Sequence, residues 1–157
     1  MKSLDALDRR IIQVVQVDSS LSAAELAERC GTTESTALRR LKAMRKDGTL
    51  APPRMQVAGD KVGRGLRIIL SIRLEKETPS EIEEFRRRLA AHPDVTDLYF
   101  VTGNWDYVLI LSIARMEDYE RFLDEMIVGQ RAVVATETQV VITPMKVGAP
   151  LPVRDGP

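Results

Sequence analysis

Five cations, Arg39, Arg40, Lys42, Arg45 and Lys46, crowd a stretch in which Ala37, Leu41 and Met44 recur at i, i+4 and i+7. That spacing puts the apolar groups on one side of a helix and most of the positive charge on the remaining surface. Guanidinium and ammonium groups so arranged neutralise phosphates, and Ser35 and Thr36 add hydroxyls at the helix start. The chemistry on offer is recognition of a polyanionic duplex. A solvated basic helix end, matched to the helix dipole, is the plainer reading of the same residues.

The elements that must position those cations favour the first reading. Residues 33–48 open on Thr33, a helix-capping hydroxyl, and close on Gly48, which suits the left-handed position at a helix end. Just before them, residues 22–31 form a second short helix, with Ser22 and Glu25 spaced as a capping box, a Leu26-Ala27 step and a terminal Gly31. Helix, tight turn at residues 30–32, then basic helix is the pattern of a helix-turn-helix, whose second helix enters the major groove. Residues 4–18 supply a third helix, with Leu4, Leu7, Ile11, Val14 and Val15 facing the same small core.

Composition narrows the function classes. The chain has 157 residues, 44% of them hydrophobic, enough for one domain or two small ones. No apolar run reaches membrane-spanning length, and residues 1–7 carry charges where a signal peptide would be apolar, so a cytoplasmic protein is expected. One cysteine, Cys30, makes no internal disulfide and reads as a buried helical residue. The single histidine, His92, beside Pro93 at a helix exit, reads as a surface residue. With one His, one Cys and no phosphate-cradling glycine loop, the converging groups of an enzyme are missing, and neither a cofactor nor a metal is expected. Carboxylate pairs such as Glu83-Glu84 and Asp124-Glu125 read as solvated helix faces. The zero net charge conceals a division: residues 1–50 carry nine Lys/Arg against seven Asp/Glu, residues 51–75 five against two, and residues 76–157 nine against fourteen. A basic front and an acidic back suit a division of labour, with phosphates met by the front.

Three units follow: a helical domain over residues 1–50, a Pro/Gly-rich linker over 51–65, and a second domain over 66–157. From Leu66 the period becomes two, with Leu66, Ile68, Leu70, Ile72 and Leu74 on one side of a strand and Arg67, Ile69, Ser71 and Arg73 on the other. Thr78-Pro79-Ser80-Glu81 starts a helix that runs to about Ala91. Residues 94–102 and 107–114 are strands joined by Gly103-Asn104-Trp105-Asp106, a hairpin connection by composition, and residues 116–128 and 133–143 supply a helix and a last strand. The order β-α-β-β-α-β is the ferredoxin-like split unit, an antiparallel sheet with both helices on one face. The bare face, with Ile69 and Val141 among its apolar groups, predicts a sheet-to-sheet homodimer.

These residues together resemble the leucine-responsive regulatory protein and AsnC family of transcription regulators. The likeness is carried by LDALDRRII at the start, ELAERCG in the second helix, and Thr33, Ser35, Thr36, Arg40, Met44 and Asp47-Gly48 in the third. Residues 93–95, 101–107 and 136–146 carry it in the second domain. The resemblance implies an α+β chain, an N-terminal winged helix-turn-helix plus a C-terminal ferredoxin-like domain that senses a ligand and oligomerises. It implies dimers assembling into an octamer or similar ring, double-stranded DNA as partner, and an amino-acid effector held between dimers. DNA contacts are expected from Thr33, Ser35, Thr36, Leu38, Arg39, Arg40, Lys42 and Lys46. Effector contacts are expected from Tyr99, Thr102, Gly103, Asn104, Asp106, Thr136 and Thr138. In the turn, glycine would let backbone amides approach a carboxylate and Asp106 would engage an ammonium; the plainer alternative is that Gly103 and Asp106 only make a hairpin. Ala37 and Leu41 stand where the family usually has a β-branched residue. Leu38 replaces a small polar residue, either packing inward or touching a thymine methyl. Gln130-Arg131-Ala132-Val133 replaces Leu-Pro-Gly-Val, which leaves ligand preference open. The expected function is a sequence-specific, amino-acid-responsive regulator of amino-acid metabolism; the alternative is an architectural DNA-binding oligomer without an effector.

Overall fold

The computed structural model describes residues 4–75 and 79–153. The chain parts into two compact units, residues 56–144 and a helical unit in which residues 4–55 are joined by 145–153. The expected second domain, 66–157, therefore differs at its end: the chain returns to the helical unit at Met145.

The helical unit contains α1 (Ala6–Val17), α2 (Ala23–Cys30) and α3 (Glu34–Lys46). Each start is fixed by side chains that satisfy the orphan N–H groups of a first turn. Asp5 caps α1 and forms a capping box with Asp8, Ser22 does so with Glu25 at α2, and Thr33 accepts the N–H of Thr36 at α3. Gly31 ends α2 at φ +65°, a left-handed conformation that favours glycine. Ile11, Leu26, Ala27, Cys30, Ala37 and Met44 are buried together, with Leu7, Val14, Leu41 and Leu50 packed around them. Val153 from the chain's return joins this core. Gln13 donates to the Val153 carbonyl, and Gln16 both donates to the Leu151 carbonyl and accepts the Leu151 N–H. Residues 51–58 form neither helix nor strand, so the wing expected after α3 is irregular chain here.

The second unit runs β1 (Leu66–Leu74), α4 (Pro79–Ala91), β2 (Val95–Phe100), β3 (Tyr107–Ile113), α5 (Met116–Met126) and β4 (Val133–Val140). The strands pair antiparallel in the order β2-β3-β1-β4, the ferredoxin-like arrangement. Thr78, the expected cap of α4, lies outside the described residues. Period-two alternation delivers Ile68, Leu70 and Ile72 of β1 and Leu109, Leu111 and Ile113 of β3 to one face. There they are covered by Phe85 and Leu89 of α4 and by Tyr119, Phe122 and Met126 of α5. Burying each such side chain contributes roughly 2 kcal/mol, so the alternation alone decides which face takes the helices. Ile69, Ser71, Val108 and Ile110 point to the opposite face. His92 is not the surface residue expected: its Nδ1 accepts the Asp94 N–H, and its ring meets Phe122 edge-on at 4.8 Å.

Candidate nucleic-acid interface and ligand turn

On α3 the core side is narrow, with only Ala37 and Met44 buried. Ser35, Arg39, Lys42 and Lys46 recur at i, i+4, i+7 and i+11 on the other side, and all four are exposed. Arg39, Lys42 and Lys46 make no ion pair among the described residues, which leaves their charge for an outside anion. The remaining expected contacts are differently placed. Thr33 and Thr36 bond to each other at 2.9 Å as part of the helix cap. Leu38 is 48% exposed and sits on the flank, lining an apolar groove with Val15, Leu21, Leu41 and Leu50. Arg40 is turned back onto α1: its Nη1 lies 2.7 Å from Asp5 and donates to both oxygens of Asp8 at 3.1 and 3.2 Å. Bound in that way, it is not among the free cations of the outward face.

The expected effector residues divide between two edges of the sheet. Thr102, Gly103 and Asn104 are exposed in the β2–β3 turn, with Gly103 at φ +115° and open space where a side chain would begin. Asp106 closes the turn by hydrogen bonds. Its N–H donates to the Ile72 carbonyl, its carbonyl accepts from Val101, and its carboxylate accepts the Leu74 N–H. Tyr99 pairs with Val108 on the face away from the helices, where its hydroxyl donates to Asp97 and the carboxylate raises its pKa. Thr136 and Thr138 lie on β4 at the far edge, opposite Ile72 and Leu70 on the helix face. Thr138 is hydrogen-bonded to the Tyr119 hydroxyl at 2.6 Å, and burial raises that phenol's pKa.

Beside the turn lies a cleft of about 410 Å³ lined by Leu74, Glu75, Ile82, Arg86, Phe100, Asp106 and Tyr107. Apolar walls with a few polar groups suit a small ligand. The Phe100 and Tyr107 rings form one wall at 5.4 Å, and Arg86, ion-paired to Glu83, stands at another. Sequence reasoning missed this wall because Ile82 and Arg86 come from α4 and meet β2 and β3 only after folding. The signal available was Phe100, a large apolar residue at the end of β2 that is left 73% exposed.

Residues 4–45 match the AsnC-type helix-turn-helix domain, and residues 67–151 match the Lrp/AsnC ligand binding domain. This chain belongs to the Lrp/AsnC family. It is similar to the leucine-responsive regulatory protein of Haemophilus influenzae, 28% identical over 145 residues that cover 92% of this chain and 87% of that one. Two solved structures share the architecture at 26% identity. An AsnC family regulator of Agrobacterium tumefaciens has a TM-score of 0.88 over 94% of this chain and 96% of that one. A transcriptional regulator of Neisseria meningitidis, solved as its L-Met complex, has 0.89 over 96% and 97%. The Lrp/AsnC chain is thus a transcriptional regulator with a DNA-binding helix-turn-helix and a ligand-binding domain; its relatives are regulators, and no enzyme family is indicated. None of its described helices is long and apolar enough to cross a membrane.

Proposed function

We propose that this Lrp/AsnC regulator binds its operator through Ser35, Arg39, Lys42 and Lys46, and that its assembly or DNA affinity answers to a small amino acid in the service of amino-acid metabolism. The observation that carries the first part is the row of exposed cations on α3 that have no acidic partner among the described residues. Support for the second part comes from the open glycine turn, the neighbouring cleft, and the L-Met complex of a structural relative. Tyr99 and Thr136 stand on opposite faces and opposite edge strands, so one chain cannot bring them to one small ligand. A second copy beside the first can, which favours an effector held between subunits. The apolar Ile69, Val108 and Ile110 on the sheet face without helices suit a homodimer, and larger rings would be built from such pairs. A two-fold pair would present two recognition helices to half-sites about 34 Å apart.

The test is a thermal-shift screen of the purified protein against each free amino acid, with molar mass followed by light scattering. A sensor gains stability from one or a few of them by linkage. An architectural oligomer binds DNA and assembles, yet gains nothing from any.

A further inference from the structure

Arg40 is the cation on α3 whose surroundings were built for it. Asp5 and Asp8 are the N-cap and N3 residues of α1, each already serving the other's backbone in the capping box. Both carboxylates also meet Arg40, which crosses from α3 to reach them. Asp8 is the only buried polar or charged residue among the described ones, at 4% exposure, and a carboxylate so enclosed requires a cationic partner. The guanidinium is itself confined: its Nε is buried without an acceptor, so the group is anchored through Nη1 alone.

We infer that Arg40 is a positioning residue for DNA recognition, bracing α3 against the start of α1 so that its outward face meets base edges in register. Beneath α3 the buried contacts are Ala37, with one methyl group, and Met44, with a flexible thioether, and the partly buried Leu41 packs beside them. That seam sets which side of the helix turns inward, and the ion pair to Asp5 and Asp8 adds a polar fix on its flank that opposes a roll about the helix axis. Base reading depends on hydrogen-bond angles and distances, which a roll spoils. Phosphate attraction is long-ranged and tolerates it. The brace therefore governs sequence discrimination and contributes little to overall attraction. The two carboxylates also hold the guanidinium charged, raising its pKa, Asp8 first and Asp5 after it.

The experiment uses the full chain, an operator duplex selected by the wild type from a random pool, and random duplex as competitor. Asp5→Asn retains an N-cap, since asparagine caps as well as aspartate, and removes one of the two carboxylates. Arg40→Gln removes the brace itself. Anisotropy titrations over a salt series, with a thermal melt of each variant, should show both variants folded. The operator-to-random affinity ratio should be down several-fold for Asp5→Asn and more than ten-fold for Arg40→Gln. The slope of log affinity against log salt on random duplex should match the wild type. A slope shallower by about one in Arg40→Gln means that Arg40 neutralises a phosphate and overturns the proposal. So does an unchanged ratio in Asp5→Asn, which decides alone if Arg40→Gln melts below the assay temperature. The inference rests on the helical unit binding DNA; a wild type that bound no duplex would refute that reading instead.

Discussion

The backbone N–H of Leu74, the last residue of β1, donates to the Asp106 carboxylate at 2.7 Å. Together with the bond from the Asp106 N–H to the Ile72 carbonyl, it ties the β2–β3 turn to the end of the neighbouring strand. The turn is held in shape by the same side chain that the resemblance assigns to an effector. Removing that carboxylate in Asp106→Ala leaves a part-buried donor unsatisfied, at a cost of about 1–3 kcal/mol in urea unfolding. Asp106→Asn, whose amide oxygen can still accept, should cost less than half as much. Equal stability of both variants and the wild type would remove the latch from the account.

Alanine in place of Lys42 or Arg39 should weaken binding to operator and random duplex and reduce the salt slope by about one for each phosphate no longer neutralised. Anisotropy at four or more salt concentrations reads both quantities. Both residues are exposed and make no ion pair among the described residues, so melting temperature should stay within a degree or two.

What the sequence can reveal follows from periodicity. The two-residue alternation from Leu66 and the 3.6-residue seam through Ala37, Leu41 and Met44 each depend on which side of one element faces the core, and local spacing reports that directly. Spacing sets Arg40 beside the seam of Ala37 and Met44 and Arg39 on the opposite side, but the ion pairs of Arg40 are not legible, because its partners lie about thirty residues away at the start of α1. The division of the effector residues is hidden for a related reason. Strand order in the sheet, not order along the chain, separates Tyr99 from Thr136. His92 misleads because a residue at a helix exit can still be enclosed by a distant helix, here α5 through Phe122.

Acid should loosen the helical unit through its caps. Hydrogen bonds from the Ser22 hydroxyl and backbone lower the Glu25 pKa from its ordinary 4.5, and the Asp8 N–H does the same for Asp5 from 3.8. A carboxyl whose native pKa is depressed binds its proton less readily when folded. Its stabilisation is present above the unfolded value and is lost as pH falls through the lowered one. Melting temperature should therefore hold down to about pH 5 and drop below about pH 4, and Ser22→Ala should shrink the part of that drop due to Glu25.

Gln16→Ala should remove both hydrogen bonds to Leu151 at once and lower the stability of the helical unit by about 1 kcal/mol, read by urea unfolding. Ending the chain at residue 150 should cost more, since the core then lacks Val153 as well.

Because residues 145–153 are gathered into the same unit as residues 4–55, the sheet is an insertion bounded by two crossings and not a module hung from one hinge. A protease that nicks the irregular stretch at residues 51–58 would cut one crossing and still leave the halves joined through the other. Evolution or an engineer could not exchange the sensor for another at a single splice point, since any replacement would have to bring its own returning tail to fit against Gln13 and Gln16.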